Sequence, residues 1–298
     1  METHTKKINV ICIACLGQDH VLHVEKNGYR VFRCKDCGTL FLHPVPEPEE
    51  AAQVYEQDYF KGAEHGHGYV DYDTDKEAMR ETFGDHVRKF EKILSKKGKL
   101  LDVGAATGFF MKIANEKDWQ THGVELSPYA AEVARKKGLK VETGTLRKLT
   151  LPKESFDVVT MWDVVEHMPD PVGDIRIAHS MLRPGGLLAI NTPDSGSLYS
   201  KIMGSRWHLF VPPEHIWYFN RKSLRRLLQN QGFEVLEARC IGKKFTVEYV
   251  VSFLYRWQKL SLWKRLSEKI SGTRIGRLFV PINFRDNMYV LARKKNNS

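Results

Sequence analysis

The sequence predicts a three-layer α/β sandwich on a mostly parallel sheet, with a small cysteine-knuckle unit ahead of it. Three observations carry that expectation. From about residue 85 onward, short apolar runs of strand length alternate with amphipathic stretches of helix length, the pattern of a sheet covered on both faces. One such run breaks into a turn of small residues, LLDVGAATGFF from Leu100 to Phe110. Ahead of it lie four of the chain's five cysteines, in two close pairs.

In order, HVRKFEKILSKKG reads as an amphipathic helix ending at Gly98, and KLLDVG as a buried strand. FFMKIANEKD is helical and THGVEL is a strand. SPYAAEVARKKG is a helix with Ser127 as N-cap, Pro128 at the first position and Gly138 at its end. FDVVTMW is a strand, PVGDIRIAHSMLRPGG a helix closed by a turn, and GLLAINTP a strand. RKSLRRLLQNQG is a helix, and FEVLEARCI and MYVLARKK are the last strands. Right-handed crossovers are expected between parallel neighbours. A length of 298 residues suits one large domain and one small one. The expected division is 1–45, a linker and covering segment at 46–84, and a main domain at 85–298 with a helical insertion near 245–280.

Cys12 and Cys15 lie in CIAC, and Cys34 and Cys37 in CKDCG, giving C-x2-C, an 18-residue gap and C-x2-C. Two-residue spacing lets both sulfurs of a turn face one ion, and four thiolates complete a tetrahedral zinc shell. Gly38 stands where a knuckle needs positive φ. HVLHVEKNGYRVFRC reads as two strands around Asn27-Gly28. The expectation is a zinc ribbon holding a structural Zn2+ through Cys12, Cys15, Cys34 and Cys37. Four thiolates leave no open position, so the nearby His20, His23 and His43 are not needed. Cys240 stands alone, and no disulfide framework is indicated.

After the knuckles, HPVPEPEE breaks structure with three prolines, and a helix is expected at about 49–57. DYFKGAEHGHGYVDYD reads as an irregular segment that orders over a ligand, or as a surface loop. The formal charge of +10 fits nucleic acid, anionic lipid or an acidic substrate, and equally a solvated surface. The chain has no apolar run of about 18 residues, so no transmembrane helix is expected. METHTKKINVICIAC lacks the apolar stretch of a secretory signal. The expected location is the cytoplasm, with peripheral membrane attachment as an option.

The turn at 104–108 excludes some ligands. A phosphate loop would continue with Gly-Lys-Ser or Gly-Lys-Thr, and Phe109 and Phe110 stand there instead. Counted from Gly104, Ala106 takes the middle position of a dinucleotide G-x-G-x-x-G turn and Phe109 the last. Asp102 would repel a pyrophosphate and suit a cation. Small residues at 104–108 let the backbone approach a bulky ligand, or serve only tight helix–strand packing. Ligands of such sheets bind at the carboxyl ends of strands. That places Gly104, Glu125, Thr145 and the segment after Trp162 along one edge.

Residues 85 to 240 resemble, in order and spacing, the class I S-adenosylmethionine-dependent methyltransferases, whose fold is Rossmann-like. Leu101-Asp102-Val103-Gly104 and Gly108 match their glycine-rich motif, with Ala106 replacing the commonest middle glycine. Glu125 in GVELSP matches the acid ending the second strand. LPKESFDVVTMWDVVEHMPDP resembles the fourth-strand region, and MLRPGGLLAINTPD the fifth. The whole layout is similar to bacterial methyltransferases with an N-terminal zinc ribbon, some of which act on sugars or natural products. The run from Pro193 to Phe219 resembles ubiquinone-type and related small-molecule methyltransferases.

The resemblance implies roles. Glu125 would accept from the two ribose hydroxyls, with Leu126 beside it. Gly104, Ala106 and Gly108 would pass beneath the methionine portion and sugar, and Asp102 would receive the amino group directly or through water. Thr145 stands where the family often has an acid near the adenine amino group, and Leu146 would pack on the ring. Trp162 and Asp163 would flank the cofactor and the methyl acceptor, Trp162 alternatively serving core packing. His215 and His167 are the candidate bases for a hydroxyl acceptor, with structural hydrogen bonding as the other reading.

The expected activity is methyl transfer from S-adenosylmethionine to a small molecule, at oxygen in preference to carbon or nitrogen, with sugars and lipid-linked compounds among the options. An RNA or other nucleic-acid methyltransferase is the alternative. The knuckles and charge favour it; the absence of an RNA-type catalytic cysteine motif and the presence of TPDS oppose it. A non-catalytic S-adenosylmethionine-binding protein is a further alternative. In FTVEYVVSFLYRWQKLSLWKRLSEKI, Val247, Val250, Leu254, Trp257, Leu260, Trp263, Leu266 and Ile270 recur at helical spacing beside Arg256, Lys259, Lys264, Arg265 and Lys269. That segment, 245–270, reads as a helix packed on its own domain, a pocket cover, a dimer contact or a membrane-surface helix.

Overall fold

In a computed structural model of the chain, residues 8, 10–47, 73, 76–258, 260–276 and 278–296 are described. The helix expected at 49–57 lies outside them, as does the 58–73 segment apart from Asp73.

Two sheets organise the molecule. The smaller begins with β1 (His20–Lys26), β2 (Tyr29–Cys34) and β3 (Leu40–Leu42). Asn27 and Gly28, at φ 53° and 81°, turn β1 into β2, which is the backbone a two-residue hairpin of matching twist requires. This sheet is completed from far along the chain by β9 (Trp217–Tyr218), whose Tyr218 and Trp217 pair antiparallel with Leu40 and Phe41.

The larger sheet contains β4 (Lys99–Val103), β5 (Gln120–Glu125), β6 (Val141–Thr143), β7 (Phe156–Trp162), β8 (Leu182–Pro193), β10 (Phe233–Thr246) and β11 (Phe279–Lys294). Their order is β10-β11-β8-β7-β4-β5-β6. The five strands from β8 to β6 are parallel, while β11 runs antiparallel to β8 and β10 antiparallel to β11. The strand order reverses between β4 and β7, so their carboxyl ends open the crevice where such sheets hold ligands.

The central strands are apolar on both faces. Leu100, Val158 and Leu187 face a core with Phe83, Val87 and Phe90 of α1 (Arg80–Leu94) and Phe110 of α2 (Phe109–Asn115). Leu101, Val159 and Leu188 face the other way, toward Ile175 of α4 (Pro171–Met181) and Leu224 and Leu227 of α6 (Arg221–Asn230). Between α2 and α4 in the chain, α3 (Pro128–Lys136) covers the edge near β6; the Ser127 hydroxyl caps it by accepting from Ala130 N–H. The second core continues without a break through Trp217 and Phe41 to the four cysteines.

Several boundaries differ from expectation. Helix α1 stops at Leu94, with Ser95 in the left-handed region, before Gly98. Helix α4 stops at Met181, because the chain re-enters the sheet at Leu182 through an irregularity in register. β3, β6, β9 and α5 (Leu198–Met203) were not anticipated, being too short to show a period. The 245–270 segment is not one helix. β10 continues to Thr246, followed by α7 (Val247–Gln258) and α8 (Ser261–Ile270). The two helices pack on each other, with Ser252 and Ser267 hydroxyls 2.8 Å apart and the Ser271 hydroxyl donating to Glu248 at 2.6 Å. Both helices carry apolar residues at helical spacing, so the period runs through the break unmarked.

Candidate active site

The expected edge forms where β4, β5 and β7 end. Gly104 N donates to Val124 O at 2.8 Å, closing the turn onto β5. Gly104 sits at φ +73°, and a Cβ there would collide with the Val164 side chain, so the close approach requires glycine. Ala106 adopts φ 48°, the same left-handed region, which explains why this place suits the glycine that the resemblance leads one to expect. Its N–H donates to Glu125 Oε2 at 2.7 Å, and Ser127 N donates to Oε1 at 2.8 Å. Glu125 is therefore buried and aimed by two backbone donors. Burial pushes its carboxyl above the usual range, against those two hydrogen bonds.

Asp102 is fully enclosed one strand away. Thr160 of β7, its register partner, donates Oγ1 to Asp102 Oδ1 at 2.6 Å. Burial pushes its carboxyl up to about 7, Thr160 opposes the shift, and the Glu125 charge adds to it. Gly144 N donates to Glu125 O at 2.8 Å and so brings the 144–146 turn to the same edge. There Leu146 is buried, Thr145 half-buried, and Leu126 exposed.

Trp162 and Asp163 end β7. Asp163 takes φ 54°, its N–H donates to Asn191 O at 2.9 Å, and Asn191 Nδ2 donates to its Oδ1. Lys76 Nζ lies 3.8 Å from the other oxygen. Trp162 stacks on Tyr289 at 6.2 Å between centroids and meets Phe110 at 5.0 Å, Phe83 at 5.3 Å and His86 at 5.2 Å. A narrow cleft opens here, lined by Lys76, Phe83, His86, Trp162, Asp163 and Asn191 among others. The buried Trp162 Nε1 has no hydrogen-bond partner among the described residues. Burial, with Arg239 and Lys89 nearby, pushes His86 down to about 4, so its imidazole is neutral at pH 7. Two buried carboxylates, a turn without room for Cβ and an unused indole donor fit a cationic, polar cofactor beside an apolar acceptor.

His167 and His215 come together from 48 residues apart in sequence, their ring centroids 4.6 Å apart. Neither is among the residues lining the cavity beside Trp162; His86 is the imidazole found there. Thr160, Asn191, His86 and Tyr289 were not singled out from sequence. For Thr160 and Asn191 the available signal was a polar residue following an apolar run.

The four cysteines also converge. Cys12 and Cys37 sulfurs lie 3.6 Å apart, and Cys15 and Cys34 sulfurs 3.5 Å. All four fall within 4.8 Å of one another. Leu16 at φ 65° and Gly38 at φ 75° close the two knuckles, with Leu16 N on Cys12 O and Gly38 N on Cys34 O. The hydrogen bond shared by the Cys12 and Cys37 sulfurs pushes one thiol up and the other down, so that one proton serves the pair. Four buried sulfurs from two knuckles suit a tetrahedral thiolate-bound ion.

Fold and edge together are those of a class I S-adenosylmethionine-dependent methyltransferase. The family described as "Methyltransferase domain" matches residues 76–238, more than half of the chain. The chain belongs to that family. Among curated relatives, it is 25% identical over 178 residues to a ubiquinone biosynthesis O-methyltransferase of Nitrosospira multiformis, spanning 52% of this chain and 74% of the relative. It is 33% identical over 101 residues to the like-named protein of Idiomarina loihiensis, spanning 32% of this chain and 42% of that one. For the Marinobacter nauticus protein the figures are 29% over 154 residues, 47% and 65%. The chain thus spans less than two thirds of several of these relatives. Among solved structures, the Bacillus subtilis YcgJ protein superposes with a TM-score of 0.50 at 14% identity, covering 73% of this chain and 99% of that one. A chain from the complex of the Haloferax volcanii Trm112 methyltransferase activator with a methyltransferase gives 0.53 at 14%, covering 76% and 94%. These two likenesses concern the fold.

Proposed function

We propose that the protein methylates an oxygen of a small aromatic acceptor of the phenol or quinol kind. The observation that carries this is the cleft at the end of β7, walled by Trp162, Phe83 and His86. A planar ring suits that aromatic wall. The names of the curated relatives support the same acceptor class. S-adenosylmethionine supplies a methyl group already activated on a sulfonium, so the protein's work is alignment and exclusion of water.

The residue roles belong to the same proposal. Glu125 takes the ribose hydroxyls, with Leu126, Thr145 and Leu146 around the base. Gly104, Ala106 and Gly108 form the floor, and Asp102 receives the amino group. Trp162 and Asp163 separate cofactor from acceptor. His86, neutral and on the cleft wall, is the imidazole we favour for accepting a hydroxyl proton over His167 and His215, which do not line that cleft. Cys12, Cys15, Cys34 and Cys37 hold a structural Zn2+ in a ribbon-like unit at 1–45, ahead of the methyltransferase domain at 85–298. The α7–α8 hairpin exposes Leu260, Leu262 and Leu266 beside Lys264, Arg265 and Lys269, which supports peripheral contact with anionic membrane. No helix among the described residues is long and apolar enough to cross a membrane.

Labelled S-adenosylmethionine offered with catechols and quinols of varied tail length, sugars and RNA tests the acceptor. An O-methyl ether on an aromatic ring is the expected product; transfer confined to RNA or sugars would refute the reading. Cofactor affinity carries a pH signature as well. Asp102 must be ionised to hold an ammonium, so affinity should rise as pH climbs from about 5.5 through its raised value of about 7. Asp102→Asn should flatten that slope. The ligand-free protein goes the other way. A carboxyl raised from about 3.9 when unfolded contributes stability that is full below about 4 and lost as pH rises through about 7. Equal affinity at pH 5.5 and 7.5 would remove Asp102 from the role.

A further inference from the structure

We infer that the outer face of α6 docks a partner protein through a carboxylate-rich helix of that partner. The exposed residues of α6 are Arg221, Lys222, Arg225, Arg226, Gln229 and Asn230, and the helix contains no acid. Its cations stand where they repel one another. Arg221 and Arg225 are four residues apart, as are Lys222 and Arg226, so both pairs set like charges side by side. Arg221 and Lys222 also open the helix, where the backbone dipole disfavours cations.

Helices α1 and α3 treat their cations differently. Arg80 meets Glu77, Arg88 meets Asp85, and Arg135 and Lys136 both meet Glu132. On α6, Arg221 Nε lies 3.1 Å from Asp194 Oδ2. No acid among the described residues pairs with Lys222, Arg225 or Arg226. The third helical position, where a glutamate often offsets the first turn, is Ser223, whose hydroxyl closes a capping box with Asn220. Carboxylates on a partner would supply the charge that the helix lacks, and three of the four cations are guanidinium forks that can take a carboxylate by two hydrogen bonds.

The surroundings select protein over nucleic acid. Asn220 Nδ2 donates to Cys37 O at 2.8 Å and Asn230 Nδ2 to Ala14 O at 3.2 Å, so α6 lies along both knuckles. Ile11 and Leu16, on either side of Ala14 in the chain, are 57% and 65% exposed. Arg226 stands one turn before Asn230, on the flank of α6 that meets this knuckle. A cationic stripe beside protruding aliphatic side chains matches the mixed polar and apolar make-up of a protein interface. Single-stranded nucleic acid needs aromatic side chains to stack on, and none of the exposed residues of α6 is aromatic. The face is also separate from the cleft. Leu224 and Leu227 anchor α6 in the core on one side of the large sheet, and Phe83 of the cleft wall belongs to the core on the other. A protein held on α6 therefore leaves the cleft uncovered.

Docking here does not depend on the acceptor reading, and its test needs no turnover. Full-length protein is titrated, by fluorescence anisotropy, against a labelled amphipathic peptide with glutamates at helical spacing beside leucines, and against the same peptide with glutamine for each glutamate. A single-stranded RNA and phosphatidylglycerol vesicles complete the set. The expected result is saturable binding of the glutamate peptide, at least about tenfold tighter than the glutamine peptide and weakening as salt rises. Arg225→Gln combined with Arg226→Gln, and separately Lys222→Gln, should weaken it, the double variant by at least about tenfold, while the thermal midpoint holds or rises because repulsion is relieved. Equal binding of the two peptides, or binding of neither, would overturn the proposal on wild-type protein alone. So would RNA or vesicles that bind more tightly than the glutamate peptide, since the occupant would then be a polyphosphate or a lipid surface. Folded variants that bind the glutamate peptide unchanged would place it elsewhere and have the same consequence. A lowered midpoint in both variants would remove the repulsion that marks α6 and count equally against docking there.

Discussion

Replacing Glu125 with alanine should weaken S-adenosylmethionine binding by at least about 100-fold, since two hydrogen bonds to a carboxylate contribute about 1.5–3 kcal/mol each. The carboxylate is not free to drift. Ala106 N–H holds one oxygen at 2.7 Å and Ser127 N–H the other at 2.8 Å. Each oxygen keeps a second lone pair, so a vicinal diol can be met without breaking either backbone bond. Glu125→Gln keeps one acceptor oxygen and should fall between. The alanine form also strands two buried N–H groups, so its thermal midpoint should drop as well; folding is therefore checked by circular dichroism before affinity is compared. A folded Glu125→Ala protein with undiminished affinity would remove this residue from the cofactor site.

Stripping metal from the cysteine cluster should lower stability by several kcal/mol, while cofactor affinity changes less than about threefold. The reason lies in what the knuckles hold. Asn220 Nδ2 donates to Cys37 O at 2.8 Å, and Asn230 Nδ2 to Ala14 O at 3.2 Å. These bonds tie both ends of α6 to the knuckles, and β3 pairs with β9 beside them. Loosening the knuckles should therefore expose the 217–230 region to hydrogen exchange along with residues 10–47. The glycine turn lies on other elements and should keep its protection. Chelation under reducing conditions with an unchanged melting curve would show that the cluster is not metal-stabilised. Selective loss of cofactor binding would show that it serves the active edge instead.

The two predictions differ in how far the sequence alone could reach them. Glu125 and the glycine turn were legible because the strand–turn–helix pattern is local: a short strand with Leu100, Leu101 and Val103, a run of small residues, then a helix. The cysteine pairs were legible because a knuckle is only a few residues long. The participation of β9 in the small sheet was not, since Trp217 and Tyr218 form two residues of strand whose partners stand about 175 positions earlier, beyond any local period. His86 escaped notice for a related reason. On α1 it sits at an ordinary core-facing position, and only the stacking of Trp162 and Tyr289 against it reveals a cavity wall. His167 and His215 were picked out singly as bases. Their pairing with each other and with Glu166 depends on how the 205–216 connection returns to the segment after β7, where Ile216 N donates to Glu166 O.

The break within 245–270 teaches the same point from the other side. Helical spacing persists across it, but spacing alone does not tell whether the backbone is continuous. Asp102 is intermediate. Its place before the turn was plain in the sequence, whereas the burial that raises its carboxyl, and the Thr160 hydroxyl that opposes the shift, belong to the neighbouring strand.

The most direct measurement is a calorimetric titration of cofactor-free, full-length protein with S-adenosylmethionine, beside a parallel titration with NAD. Saturable binding of S-adenosylmethionine at one site, displaced by S-adenosylhomocysteine, with no heat from NAD, is the expected result. Tight binding of NAD, or no binding of S-adenosylmethionine by well-folded protein, would contradict the assignment of the β4–β5–β7 edge.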